Sequence, residues 1–420
     1  MIGIFAGIHF QQKGDFKMKY IFFIFLPVFV FANVLQDVID KAKPYSVIEL
    51  KDGIYKGNIV INKPLKILAK QGAKAIIDAD KKGSVILLKS SNITLQNLII
   101  KGTGHRKEIF DSAIIGEKIN NITIKNCKIT DSLYGINISM ANNIKIISNT
   151  ISSKDEKKPL RGDGIKFWYV NNSKIIGNTF LKVRDIHFER SDNNIIKNNR
   201  FLYNRFATHI EFGKNNLIEN NFYRYNSVGI LLEGTTKIKI IKNKILNSNG
   251  MAAIGALFRG GNHIIFQNNI LKYNREGLYI DAKPSKLEKF KRKIINNEIS
   301  FNLQAIHFHA IIANNIITFN KIHDNLYDIV KDITGYKNLN NKVEYNYWGQ
   351  YKGFDTNYDN IGDTPYIIKR YFDKLYSYNN KIKFFYGSTV MAVVDFLCEI
   401  APFTKPEILL VDKKPVFKDK

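Results

Sequence analysis

Between about Tyr134 and Asn325 the chain repeats itself, and no other feature limits the fold as tightly. A small residue followed by an apolar one recurs at Gly135, Gly164, Asp185, Ala207, Gly229, Ala253, Gly277 and Ala305, in steps of 29, 21, 22, 22, 24, 24 and 28. A second phrase, Asn-x-Ile or Asn-x-Phe, keeps the same beat at Asn149, Asn178, Asn199, Asn220, Asn243, Asn268, Asn297 and Asn320. A period in the low twenties, with β-branched residues alternating with polar ones and Asn or Gly at the corners, is what a coil of parallel strands requires. Each rung supplies short strands, and each corner a residue that tolerates the left-handed conformation or stacks its amide on the next rung. The expected fold is all-β, a single-stranded right-handed parallel β-helix.

A solenoid takes a length of 420 residues as one unit, and 45% apolar residues suffice to fill its interior. Lys and Arg total 63 against 37 Asp and Glu, a formal charge of +26. That balance favours anionic partners, but the cations are scattered singly (Lys145, Lys174, Lys197, Lys239) and no nucleic-acid motif accompanies them, so a solvated basic exterior is expected. Cys127 and Cys398 make no disulfide framework. Cys127 falls in the corner column of Asn199 and Asn221 and reads as a small buried stacking residue.

Residues 1–32 read as an upstream extension and a secretion signal. Met18-Lys19-Tyr20 is a short basic start, Ile21 to Phe31 an apolar core, and Val30-Phe31-Ala32 a cleavage box. An uncleaved anchor is the alternative, and Met18 is a candidate start. Residues 33–45 form a helical cap, with Val34, Leu35, Val38, Ile39 and Ala42 on one side. The coil is expected over 46–348, with two polar insertions, Ser152 to Asp163 and Lys283 to Arg292, leaving it as loops. Residues 349–420 contain a Gly/Asp-rich loop, an aromatic stretch and helical spacing over Thr389 to Ile400, reading as a far cap, a docking tail, or both.

Side chains alternate in and out along a strand, so the third and fifth residues of each repeat point outward. The third positions read Asn137, Lys166, His187, His209, Leu231, Gly255, Tyr279 and His307; the fifth read Ser139, Trp168, Glu189, Glu211, Glu233, Leu257, Asp281 and His309. Rungs stack about 4.8 Å apart, which makes His187 and His209 neighbours beside a row of Glu189, Glu211 and Glu233. Like charges in register oppose folding unless a cation offsets them. The row is either solvated and paired with residues such as Arg184 and Arg190, or it takes a metal ion. Imidazole and carboxylate suit Cu(II) or Zn(II) better than Cu(I). His307 and His309 are a second candidate pair. Asp355, Asn357, Asp359 and Asp363 offer oxygens at calcium-loop spacing, without the closing Glu; a tight turn is the alternative.

Several segments in order resemble the NosD family: Arg161-Gly162-Asp163-Gly164-Ile165 with Trp168, Asn199-Arg200-Phe201, Arg205-Phe206-Ala207-Thr208-His209, Ile306-His307-Phe308, and Asn346-Tyr347-Trp348 running into Asp355 to Pro365. The resemblance covers essentially all of the chain after the signal. It implies a periplasmic, non-enzymatic accessory protein of nitrous oxide reductase maturation. Such a protein works with a membrane ABC transporter and a copper-chaperone lipoprotein to supply copper, sulfur or both to the copper centres of the reductase. The chain departs from the family where the His209 strand continues as Ile210-Glu211-Phe212-Gly213 rather than with Tyr, Met and a second His. The His/Glu face therefore replaces a thioether copper site as the expected ligand set. A polysaccharide lyase or hydrolase with Glu189 and Glu211 as its acids, and a surface adhesin, are the competing readings. Against the lyase or hydrolase, the outer face lacks paired adjacent aspartates and a dense aromatic platform.

Overall fold

The computed structural model describes residues 30–31, 34–281, 292–309, 311–331, 340–370, 385, 388–401 and 407–418. The signal segment up to Phe29 and most of the Lys283–Arg292 insertion lie outside them. The chain winds into a parallel β-solenoid of about twelve turns. One face is a 14-stranded parallel sheet; a 24-stranded sheet supplies two further ladders that run side by side. Strands of the coil run from Val30–Phe31 to Tyr347–Trp348.

In-register parallel pairing sets the interior. Phe167, Phe188, Ile210, Leu232, Phe258, Ile280 and Phe308 follow one another rung by rung, all essentially inaccessible. On the 14-stranded face Phe180, Phe201 and Tyr223 stack with centroids 5.1 and 4.7 Å apart. The small residue of each repeat has a steric cause: a Cβ built on Gly229 would sit 2.5 Å from the Gly255 carbonyl oxygen, and one on Gly255 2.5 Å from that of Gly277. The rung's corner thus packs on the backbone of the next.

That column corrects the sequence alignment at one rung. Ile230 pairs with Ala256 and Leu231 with Leu257, so the repeat's small residue is Gly255 rather than Ala253. The asparagine column is likewise shifted at two positions. The buried ladder runs Asn149, Asn178, Asn199, Asn221, Asn243, Asn269, Asn297, Asn320 and Asn346. Each amide oxygen accepts the backbone N–H of the preceding member at 2.8–3.0 Å. Asn220 and Asn268 stand one residue earlier with φ of 51° and 56°, forming the left-handed corner itself. Cys127 heads the ladder by donating its N–H to Asn149 Oδ1, and burial raises its thiol pKa to about 11.

Both ends are covered. The helix Val34–Lys41 buries Leu35 and Ile39, while Val38 faces solvent. At the other end Tyr366–Arg370 and Glu407–Asp412 form an antiparallel pair that buries Leu409 and Leu410. Asp412 ends the asparagine ladder, accepting from Asn346 N at 3.1 Å and from the Trp348 indole at 2.9 Å.

Candidate metal centre

The site lies on the outer side of the strands Ile165–Asn171, Asp185–Glu189, Phe206–Glu211 and Val228–Glu233. Because Phe188, Ile210 and Leu232 point inward, their neighbours on either side must point out. Lys166 pairs with His187, His187 with His209, and His209 with Leu231; Trp168, Glu189, Glu211 and Glu233 form the parallel column. Beyond Leu231 the shifted rung resets both columns. Leu257 belongs to the imidazole column, and the residue above Glu233 is Arg259.

The imidazoles of His187 and His209 stack at 4.4 Å with planes 15° apart. Each meets a carboxylate one rung further on: His187 Nε2 lies 3.3 Å from Glu211 Oε2, and His209 Nε2 is 3.0 Å from Glu233 Oε2. The two contacts differ in kind. His209 Nε2 hydrogen-bonds Glu233, whose other oxygen accepts from Arg259 Nη1 at 2.5 Å. His187 Nε2 is buried and lacks hydrogen-bond geometry to Glu211. Donation of Nε2–H to Glu233 leaves the His209 lone pair on Nδ1, the arrangement in which a second carboxylate orients a ligating imidazole.

Burial depresses the His187 pKa to about 3, helped by His209 and by the cations Lys166, Arg184 and Arg205. The ring is therefore neutral, with a lone pair to offer. Arg184 clamps Asp163 at 2.8 and 3.0 Å, and Arg205 clamps Asp185 while lying 4.4 Å over the Phe206 ring, which in turn packs edge-on against His209. Donor atoms of His187, His209 and Glu211 all lie within 4.8 Å of one another, the one such group of three or more His, Cys, Asp or Glu among the described residues. An orphaned neutral imidazole nitrogen, a second imidazole and an unshared carboxylate fit a borderline divalent ion such as Cu(II).

The other sequence candidates fall elsewhere. Glu189 sits beside Trp168 and outside the three-residue group. His307 is four rungs beyond His209, beyond Leu231, Leu257 and Tyr279, and is 6% exposed rather than facing solvent. Its ring is 6.5 Å from that of exposed His309, at 71°, and its Nδ1 is 3.4 Å from buried Glu276. This stretch of the outer face is covered, since Val228, Leu231, Ile254 and Leu257 form a buried cluster of their own. The acidic loop closes on itself: Asp355 accepts from the N–H groups of Asp359 and Asn360, Asp359 from that of Ile361, and Asn357 donates to Asp359. Asp363 accepts from the side chain and N–H of Thr356, which lowers its pKa. Those oxygens are engaged in a turn, the alternative reading of this segment.

Sequence reasoning missed Arg259 and the Asp163–Arg184 and Asp185–Arg205 clamps. The signal was present, because each Arg follows its Asp by 20 or 21 residues, one rung, and the period was applied to small residues, asparagines and the outward-facing strand positions but not to the charges beside the corner.

Residues 153–353 match the model of the NosD family, described as a periplasmic copper-binding protein. The chain is a parallel β-helix protein similar to the NosD family over this stretch. A 121-residue stretch is 26% identical to the probable ABC transporter binding protein NosD of Pseudomonas aeruginosa; the match spans 28% of each chain, little more than a quarter of that relative. Among solved structures, a mannuronic acid specific polysaccharide family 6 lyase from human gut microbiota aligns at a TM-score of 0.56, with 14% identity over 79% of this chain and 88% of the other. The Azotobacter vinelandii mannuronan C-5 epimerase AlgE4 A-module aligns at 0.53, with 14% identity over 71% of this chain and 94% of that one. The alginate lyase AlyF-OU02 also aligns at 0.53, with 14% identity over 76% and 85%. At that identity these likenesses show the fold alone. They nevertheless correct the expectation of a non-enzymatic chain, since the architecture is one on which lyases and epimerases work. Among the described residues no helix is long and apolar enough to cross a membrane.

Proposed function

We propose that the chain is a periplasmic accessory protein that carries copper on its outer face and passes it on, with an ABC transporter, for assembly of the copper centres of nitrous oxide reductase. The observation that carries this reading is the stacked His187–His209 pair with Glu211, whose donor atoms lie within 4.8 Å of one another beside a buried imidazole nitrogen that has no hydrogen bond. The family description as a periplasmic copper-binding protein supports the metal and the compartment, and the relative's name supports the transporter. The Met18–Ala32 segment is the export signal in this reading.

Copper here is cargo. Two imidazoles and one carboxylate form a partial coordination shell, which holds an ion while leaving positions for the ligands of a copper-chaperone lipoprotein that donates it or of the reductase that receives it. The helix Thr389–Ile400 suits a docking role: Val390, Val393, Phe396, Leu397 and Ile400 face outward while Met391 is buried. Contiguous exposed apolar side chains of this kind mark interaction sites.

Copper titration of the purified protein, beside His187→Ala and His209→Ala, tests the reading. The wild type should bind one equivalent, and each variant should lose at least tenfold in affinity while melting as a folded protein. Retention of copper by both variants would overturn the site; retained reductase copper in cells lacking the protein would overturn the role.

A further inference from the structure

The outer face carries a second site, toward the N-terminal side of the imidazole pair. A cleft of about 520 Å³ runs across the rungs from Leu87 and Ile115 to Trp168 and Glu189. Its floor is continuous because Leu87, Ile115, Asn137 and Lys166 occupy one in-register column, and Glu117, Ser139, Trp168 and Glu189 the next. Phe110 closes one side, with Lys166 Nζ 5.5 Å from its ring centroid. The volume lies within the usual range of small-molecule sites, and the walls mix apolar and aromatic surface with a few polar groups, as such sites do.

The polar groups are unspent. Elsewhere the solenoid engages nearly every inward asparagine in a ladder. Here, among the described residues, the side chains of Asn137, Ser139, Lys166 and Glu189 make no hydrogen bond or ion pair within the protein. Trp168 is 37% exposed and lines the same wall. We infer that this cleft binds a short acidic oligosaccharide lying along the solenoid axis, with one carboxylate on Lys166 and a sugar face on Trp168.

Three features select that class of ligand. Bifunctional Asn and Ser with an acceptor Glu match hydroxyls, which both donate and accept. The polar groups recur at the rung spacing of about 4.8 Å, close to the repeat of a pyranose chain and unlike the roughly 3.3 Å of an extended peptide. A peptide would moreover find no free strand edge to pair with, because every strand of this face is paired on both sides across these rungs. The carboxylate follows from Lys166, whose ammonium lines the cleft with no ion-pair partner among the described residues, and a formal charge of +26 favours an anion.

The chain supplies its own probe, since it has two tryptophans and Trp348 is buried. Titration of the full chain with a defined oligouronate, a neutral oligosaccharide of the same length and triglutamate should move the Trp168 emission to shorter wavelength, with saturation for the oligouronate alone. Calorimetry should give at least tenfold weaker binding for Lys166→Met and for Trp168→Ala, with copper binding unchanged in Trp168→Ala. An oligouronate that gives neither heat nor an emission shift at millimolar concentration would overturn the inference. So would triglutamate binding as tightly, or a Lys166→Met variant of unaltered affinity. Because copper binding is read in the same Trp168→Ala variant, this inference and the metal reading fail separately.

Discussion

Asn221→Ala tests the structural correction that matters most to the fold, and its cost can be worked from the contacts. The Asn221 oxygen accepts from Asn199 N at 2.9 Å and Asn199 Nδ2 at 3.0 Å; its amide donates to Ile196 O at 2.9 Å and Asn243 Oδ1 at 3.0 Å. The residue is 2% exposed, so water does not replace what is lost. Asn199 Nδ2 keeps its bond to Ile175 O, and Asn243 Oδ1 keeps the Asn221 N–H. The Asn199 N–H and the Ile196 carbonyl lose a partner outright. Stripping a buried donor or acceptor costs about 1–3 kcal/mol, which for the two groups places the substitution at roughly 2–6 kcal/mol. Asn220→Ala is the control. Asn220 is exposed, bonds only the neighbouring Asn198 side chain, and pays chiefly for a non-Gly residue at φ 51°, about 1 kcal/mol or less. Urea melts followed by circular dichroism at one pH compare the two. Equal losses, or a larger loss at Asn220, would refute the ladder assignment.

Gly229→Ala should destabilise by about 1–3 kcal/mol, because the new Cβ would lie 2.5 Å from a backbone oxygen that has no room to retreat; chemical melts check it. Asp328→Asn should stabilise the protein at pH 8 and leave it unchanged at pH 4. Burial raises the Asp328 pKa from 3.8 to about 7, so its folded form keeps a proton that the unfolded chain releases, and stability is lost as pH rises through that window. Raising the carboxyl from 3.8 to about 7 corresponds to about 4 kcal/mol at most, read as the difference between melts at the two pH values.

The fold was legible because two demands recur along the rungs: a small corner residue, Gly where the next rung's carbonyl approaches to about 2.5 Å, and an inward-facing column that must be bulky. Where both were present once per rung the register followed. Where a phrase occurred twice in a row it slipped. Ala253-Ile254 and Gly255-Ala256 both satisfy small-then-apolar, and only the approach of Gly277 O to the second decides between them. The doublets Asn220-Asn221 and Asn268-Asn269 slip likewise, since the first turns the corner at positive φ and the second points into the ladder. The burial of His307 was not legible. Sequence period says which way a side chain leaves the coil, not what later covers it.

The same distinction narrows the metal site to one carboxylate. Sequence placed three acids beside two imidazoles without saying which would serve. In the fold each imidazole meets the acid one rung further on, and that offset gives the three different positions. Glu233 has one oxygen on His209 and the other on Arg259. Glu189 stands in register between Trp168 and Glu211 but contributes no donor atom to the three-residue group. Glu211 alone faces the unbonded His187 nitrogen, and among the described residues its carboxylate has no cation against it. Replacing each by Gln should therefore separate them in copper titrations. Glu211→Gln removes a ligand and should weaken binding most. Glu233→Gln disturbs only the orientation of His209 and should cost about 10–100-fold, the usual penalty for losing a group that positions a ligand. Glu189→Gln should cost least, within about twofold, since it removes no donor atom from the cluster. An order led by Glu189 would mean that the ion sits in the neighbouring cleft, and that the stacked imidazoles are packing rather than ligands.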